Sequence, residues 1–201
     1  AALFLPVLLG LRDLYSWTVP GAAEADALLR WKAPYLNVPF FLIRAALYFG
    51  LWSFIAVLYY RGSRGQDVTG DPGVSARLRR LAGPAIIILA LTQTFASIDW
   101  IMSLTPHWYS TIFGVYFFAG SFVGFIALLS VVVVAMRRVG LLDTVISAEH
   151  LQDIGKFLFA FTAFWAYIGF SQFFLMWYAN LPEETIWYQA RRGGSSTSRV
   201  P

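Results

Sequence analysis

Apolar residues fall along this chain in long blocks rather than at the intervals of an amphipathic helix or strand. Four blocks, residues 38–60, 84–104, 108–136 and 155–179, are long and poor in charge. A helix needs roughly 20 such residues to cross a bilayer core of about 30 Å, so each block predicts a transmembrane span. A fifth block, residues 1–11, contains Pro6 and is too short to cross. It lacks the basic stretch and small-residue cleavage site of a secretory signal, and is expected to be the end of a truncated helix. Residues 12–37 form a polar outer connection broken at Pro20-Gly21 and Pro34, with a short surface helix expected over 22–31. Pro84 suits the first turn of the second span, where its missing N–H costs nothing. Thr105-Pro106-His107 is expected to be a tight return, and residues 191–201 a flexible polar tail. The expected fold class is therefore all-α: a polytopic transmembrane helical bundle over residues 38–190, with four full spans plus a partial N-terminal one.

Composition agrees with this pattern. Hydrophobic residues make up 58% of the 201 and charged residues 13%, whereas soluble domains carry about 25% charged residues. The charges also set an orientation, because cytoplasmic loops are enriched in Lys and Arg. Arg61, Arg64, Arg77, Arg79, Arg80, Arg137, Arg138 and Lys156 fall on one face by alternation of the spans. Arg12, Arg30, Lys32, Arg191, Arg192 and Arg199 fall on the other. The first face is assigned to the cytoplasm, so the net charge of +4 reports topology rather than a nucleic-acid surface. Aromatic residues at the block ends (Tyr15, Trp17, Trp31, Tyr35, Trp100, Trp108, Tyr109, Trp177, Tyr178, Trp187 and Tyr188) fit an interfacial belt.

The sequence holds no cysteine, which excludes iron–sulfur ligation, c-type haem attachment and disulfides within it. Its two histidines, His107 and His150, are expected at opposite faces, about 30 Å apart across the bilayer core, too far to share one haem. No metal site is expected, and no P-loop, GxSxG or HExxH pattern occurs.

Ionisable residues inside a span are costly and mark function by default. Asp99 lies about five residues, ~7 Å, inside the outer end of the second span. Helical spacing sets it beside Thr92 and Ala96, with Ser103 one turn on and His107 beyond. Two readings stay open: with His107, a proton-passing or quinol-binding acid, or a structural group that caps a neighbouring helix or pairs with Arg44 in the outer half of span one. On the inner face, His150, Asp153 and Lys156 recur every three residues and form either a proton entry mouth or acids suited to a helix N-terminus. Gln172, with Ser171, is the midplane candidate; its alternative is an interhelical hydrogen bond. Glu183 and Glu184 either cap a short outer helix or meet a basic partner; with Arg44 they are the candidates for outer-face partner contacts.

Residues 97–114, SIDWIMSLTPHWYSTIFG, resemble the Asp-Trp-x-Met-Ser-Leu-x-Pro-His-Trp signature of alternative complex III membrane subunits. Residues 149–156 (EHLQDIGK), 161–168 (FTAFWAYI), Ser171-Gln172 and 177–185 (WYANLPEET) are similar to its second NrfD-like, polysulfide-reductase-type anchor, ActF. The likeness covers roughly residues 84–190; Thr105 departs from it, since an acidic residue is common there. It implies a bacterial inner-membrane subunit of a quinol:electron-acceptor oxidoreductase, contributing contacts and a possible proton route without a redox centre. No cofactor would be bound by this segment. Quinone is possible at the complex, and haem c and iron–sulfur clusters would lie on partner subunits beside a second anchor. The alternative reading is a fragment of a secondary transporter, with Asp99 and Gln172 lining a path.

Overall fold

The computed structural model describes residues 2–142, 145–182, 185, 187 and 188. Among them the chain is all-α, with no strand. After a 3-10 turn at Ala2–Phe4 come four short helices: α1 (Leu5–Leu9), α2 (Leu11–Leu14), α3 (Ala22–Ala25) and α4 (Ala27–Lys32). Four long ones follow: α5 (Val38–Thr69), α6 (Pro72–Trp100), α7 (Phe113–Arg138) and α8 (Ala148–Ala179). These last four are long and apolar enough to cross a membrane. Two compact units divide the chain, residues 1–109 and 110–201.

In the first unit α5 and α6 pair as an antiparallel hairpin. Asn37 starts α5 by accepting from the Phe40 N–H, and no breaker follows until Gly70, which takes the left-handed conformation (φ 66°). Asp71 then caps α6 through the Gly73 N–H, and Pro72 occupies its first turn. The expected loop at 61–83 is therefore mostly helix. The 32 residues of α5 reach about 48 Å, well beyond a 30 Å core. Pro84 consequently lies inside α6 rather than at its start. At the other end, α6 stops at Trp100 and α7 begins only at Phe113, so the return is an irregular connection with a 3-10 turn at Met102–Leu104, longer than three residues.

The buried residues of α5, Phe41, Arg44, Ala45 and Tyr48, repeat at helical spacing and define one inward stripe. Thr92, Ala96 and Asp99 do the same on α6. The outward faces carry Ile43, Leu47, Ile86, Ile87 and Leu91, all exposed. This arrangement, polar inside and apolar outside, suits a hydrocarbon surrounding and would be an aggregation surface in water.

The short helices fold over the end of the hairpin where α5 starts. Leu11, Tyr15, Trp17, Leu29 and Phe41 form one buried cluster, flanked by Phe4, Val7, Leu36 and Trp100. The expected helix over 22–31 is two helices divided at Asp26, whose carboxylate accepts from the Leu28 and Leu29 N–H groups. Tyr15, Trp17 and Trp108 are thus interior residues, not belt residues. Trp31, Tyr109, Trp177 and Tyr178 are exposed, as a belt requires.

In the second unit α7 pairs with α8. Their contact is made by rings fitted to small residues. A methyl group at Gly120 would stand 2.9 Å from Trp165 Nε1, and one at Gly169 would stand 3.0 Å from the Tyr116 ring. Those two rings stack with centroids 5.8 Å apart. Gly114 is buried, whereas Gly124 meets nothing within 4 Å.

Candidate functional site

Asp99 is 1% exposed and Arg44 8%. The guanidinium grips the carboxylate in the two-pronged geometry that arginine favours: Nε donates to Oδ2 at 2.8 Å and Nη2 to Oδ1 at 3.0 Å. The remaining nitrogen, Nη1, donates to the Tyr35 carbonyl at 3.1 Å. The Tyr48 hydroxyl donates to Asp99 Oδ2 at 2.7 Å, and the Ser103 hydroxyl donates to the Asp99 carbonyl. Arg44 also lies over the rings of Tyr35 and Phe40, 3.9 and 4.2 Å from their centroids. Every group of the cluster therefore has partners, the condition under which a charge is tolerated away from water.

The sequence explains this placement. Arg44 and Tyr48 are four apart on α5 and share its buried stripe; Asp99 sits one residue before α6 ends. One helical turn further along α5, the Trp52 indole donates to Thr92 at 2.9 Å. Above the pair, Tyr15 donates to the Trp100 carbonyl at 2.9 Å, joining the short-helix cap to the end of α6. Burial pushes the Tyr15 phenol up to about 12, with the Asp99 charge adding to the effect, so it stays a neutral donor. Burial and then Asp99 push the Tyr35 phenol up as well.

The other candidates have other partners. His107 is half exposed and pairs with Asp26, Nε2 to Oδ2 at 2.6 Å, beside Lys32, which donates to the Pro106 carbonyl at 2.6 Å. Desolvation pushes the Asp26 carboxyl up, but the Leu28 and Leu29 amides and His107 together outweigh it and hold the group below the ordinary carboxylate value. Burial lowers Lys32 against the opposing pull of Asp26. Arg44, expected also as a surface contact for a partner, is instead buried in its pair with Asp99.

The remaining candidates belong to the second unit. His150 caps its own helix: its N–H faces the Ser147 hydroxyl at 3.5 Å, while its Nδ1 accepts from the Ser147 N–H at 3.1 Å. Asp153 and Lys156 form an exposed pair at 3.1 Å, while Glu149 stands in the first turn. Gln172 is 3% exposed, with Ser171 half-buried beside it, and its Nε2 meets no acceptor among the described residues. It lies seven residues, about 10 Å, before the end of α8. Glu183 and Glu184 lie outside the described residues.

The sequence offers Arg44 as one of several partners for Asp99 and does not point to Tyr48, Tyr35 and Phe40. The i to i+4 spacing of Arg44 and Tyr48 was the available signal for Tyr48. The ring sandwich depends on how residues 33–40 turn into α5, and no spacing encodes that.

Four apolar membrane-length helices with a fully partnered ion pair buried in the first hairpin define a multi-pass α-helical membrane protein. No protein-family model and no curated protein matches the chain. Among the described residues no group of three or more His, Asp or Glu side chains could hold a metal ion.

Proposed function

We propose that this chain is an anchor subunit of a membrane quinol:electron-acceptor oxidoreductase of the alternative complex III type, in a bacterial inner membrane. It serves as a scaffold for partners that carry haem c and iron–sulfur clusters, beside a second NrfD-like anchor. Support comes from the signature-like run 97–114 together with the place of its acid. The observation that carries the scaffold reading is the Arg44–Asp99–Tyr48 cluster, in which both carboxylate oxygens are engaged. A proton relay needs an acid that can gain and lose its proton. Here protonation would displace an arginine or a tyrosine from a carboxylate that is almost fully buried. Asp99 thus fits a pin that joins α5 to α6 better than a carrier. The transporter alternative calls for helices interrupted at the midplane, whereas α5 to α8 each run without a break.

The test has two readouts. The chain, tagged in its native membrane, should co-purify with haem c and iron–sulfur absorbance; recovery without either would overturn the complex. In fully assembled Asp99→Asn complexes, quinol oxidation and proton release per complex should match wild type while the yield of assembled complex falls. Loss of either activity at full assembly would overturn the pin and favour a proton route through Asp99.

A further inference from the structure

The far end of the first hairpin carries a feature with no part in the buried pair. Between α5 and α6, where both helices leave their apolar stretches, lies a groove of about 620 Å³. Its wall changes character along its length: Val57, Leu58 and Leu81 line one part, Arg61 and Arg77 the next, and Asp71 the tip. The helices are in matched register there. The Tyr59 hydroxyl donates to the Leu78 carbonyl at 3.2 Å, and the Leu78 side chain packs into the space left by Gly62. The change from apolar to charged, at Tyr60/Arg61 on α5 and Arg80/Leu81 on α6, therefore falls at one height on both helices.

Both groove arginines are exposed, and neither takes part in an ion pair among the described residues. This differs from Arg44, whose charge is fully engaged. An apolar slot with two uncommitted guanidinium groups at the level where a helix emerges from hydrocarbon matches the two ends of one molecule. Arginine binds phosphate oxygens through paired N–H donors, and basic pockets between membrane helices take lipid head groups. We propose that this groove binds an anionic phospholipid, with its phosphate on Arg61 and Arg77 and an acyl chain along Val57, Leu58 and Leu81. A free phosphate would use only the arginines and leave the slot uncovered. The carboxylate of Asp71 keeps the negative charge at the arginines rather than deeper in the tip. The assignment rests on the membrane-spanning helices alone and is independent of any role in quinol oxidation.

The full chain, exchanged into nanodiscs of phosphatidylcholine with phosphatidylglycerol as the minor lipid, is released for native mass spectrometry. Wild type should retain one phosphatidylglycerol in preference to phosphatidylcholine. R61Q/R77Q should lower that preference roughly thirtyfold, the effect expected for two surface arginines. Leu58→Trp, which fills the slot without changing charge, should lower it as well. R79Q/R80Q removes the same charge outside the groove and should leave retention unchanged. Equal loss in R79Q/R80Q, or none in R61Q/R77Q, would overturn the site. Inorganic phosphate bound by lipid-free protein through Arg61 and Arg77, and indifferent to Leu58→Trp, would assign it to a free anion and overturn the lipid.

Discussion

The two hairpins solve the same problem by different means. Two helices in hydrocarbon gain little from burying apolar surface against each other, because lipid is equally apolar; they hold together by packing and by polar links. The α5–α6 pair uses polar links: an arginine–carboxylate fork, a tyrosine on the same carboxylate, and an indole on a threonine. The α7–α8 pair uses fit, with Trp165 against Gly120 and Tyr116 against Gly169. Its one wholly buried polar side chain, Gln172, leaves Nε2 without an acceptor among the described residues. The first solution fixes register by chemistry and fails abruptly when one partner is lost. The second fixes it by shape and degrades with the size of the intruding group.

That contrast predicts a ranking. Asp99→Leu strands a buried guanidinium and should cost about 3–5 kcal/mol, the range for breaking one side of a buried pair. Adding Arg44→Met should restore most of the loss, because an apolar pair needs no partner. Steric-trap unfolding of the three variants measures the cycle, and additive losses would show that the two residues do not act as a pair. In the second hairpin, Gly120→Leu should cost about 1–3 kcal/mol, as overpacking does. Gly124→Ala, with open space around it, should be neutral or slightly stabilising. If Gly120→Leu were as harmless as Gly124→Ala, shape would not be what holds α7 to α8.

Of the three contacts, the smallest effect is expected at Asp26–His107, where both side chains are partly solvated. The Asp26 carboxyl is held below its ordinary value in the folded chain. Its contribution is therefore complete above about pH 4, the unfolded value, and is lost as pH falls through the folded one. His107→Gln should raise the Asp26 midpoint followed by carboxyl-carbon NMR. An unchanged midpoint would remove His107 from the interaction.

The spans were legible because twenty apolar residues in a row admit few other readings. Their ends were less so. Charged residues from Arg61 onward suggested a loop, yet nothing in that stretch stops a helix before Gly70-Asp71-Pro72, and charge alone does not break one. Pro84 marks the start of the apolar block but not of the helix. Tyr15, Trp17 and Trp108 misled for a related reason: rings at the edge of an apolar block look the same whether they face head groups or are covered by a folded connection. The acid of the candidate site was visible as the one carboxylate within the four apolar blocks. The pair with Arg44 is present in the packing, and seeing it needed the register of α5 on α6.

Pro84 has a mechanical consequence. Without an N–H it leaves the Arg80 carbonyl without its helical donor, close to where α6 passes from charged to apolar residues. Over the same stretch α5 contains no proline. The hairpin tip is thus carried by one continuous strut and one strut with a missing rung, and bending load concentrates at that rung. A force applied to the arginine-rich tip would tilt it about Pro84 as a lever about a fulcrum, and the α6 side would yield first.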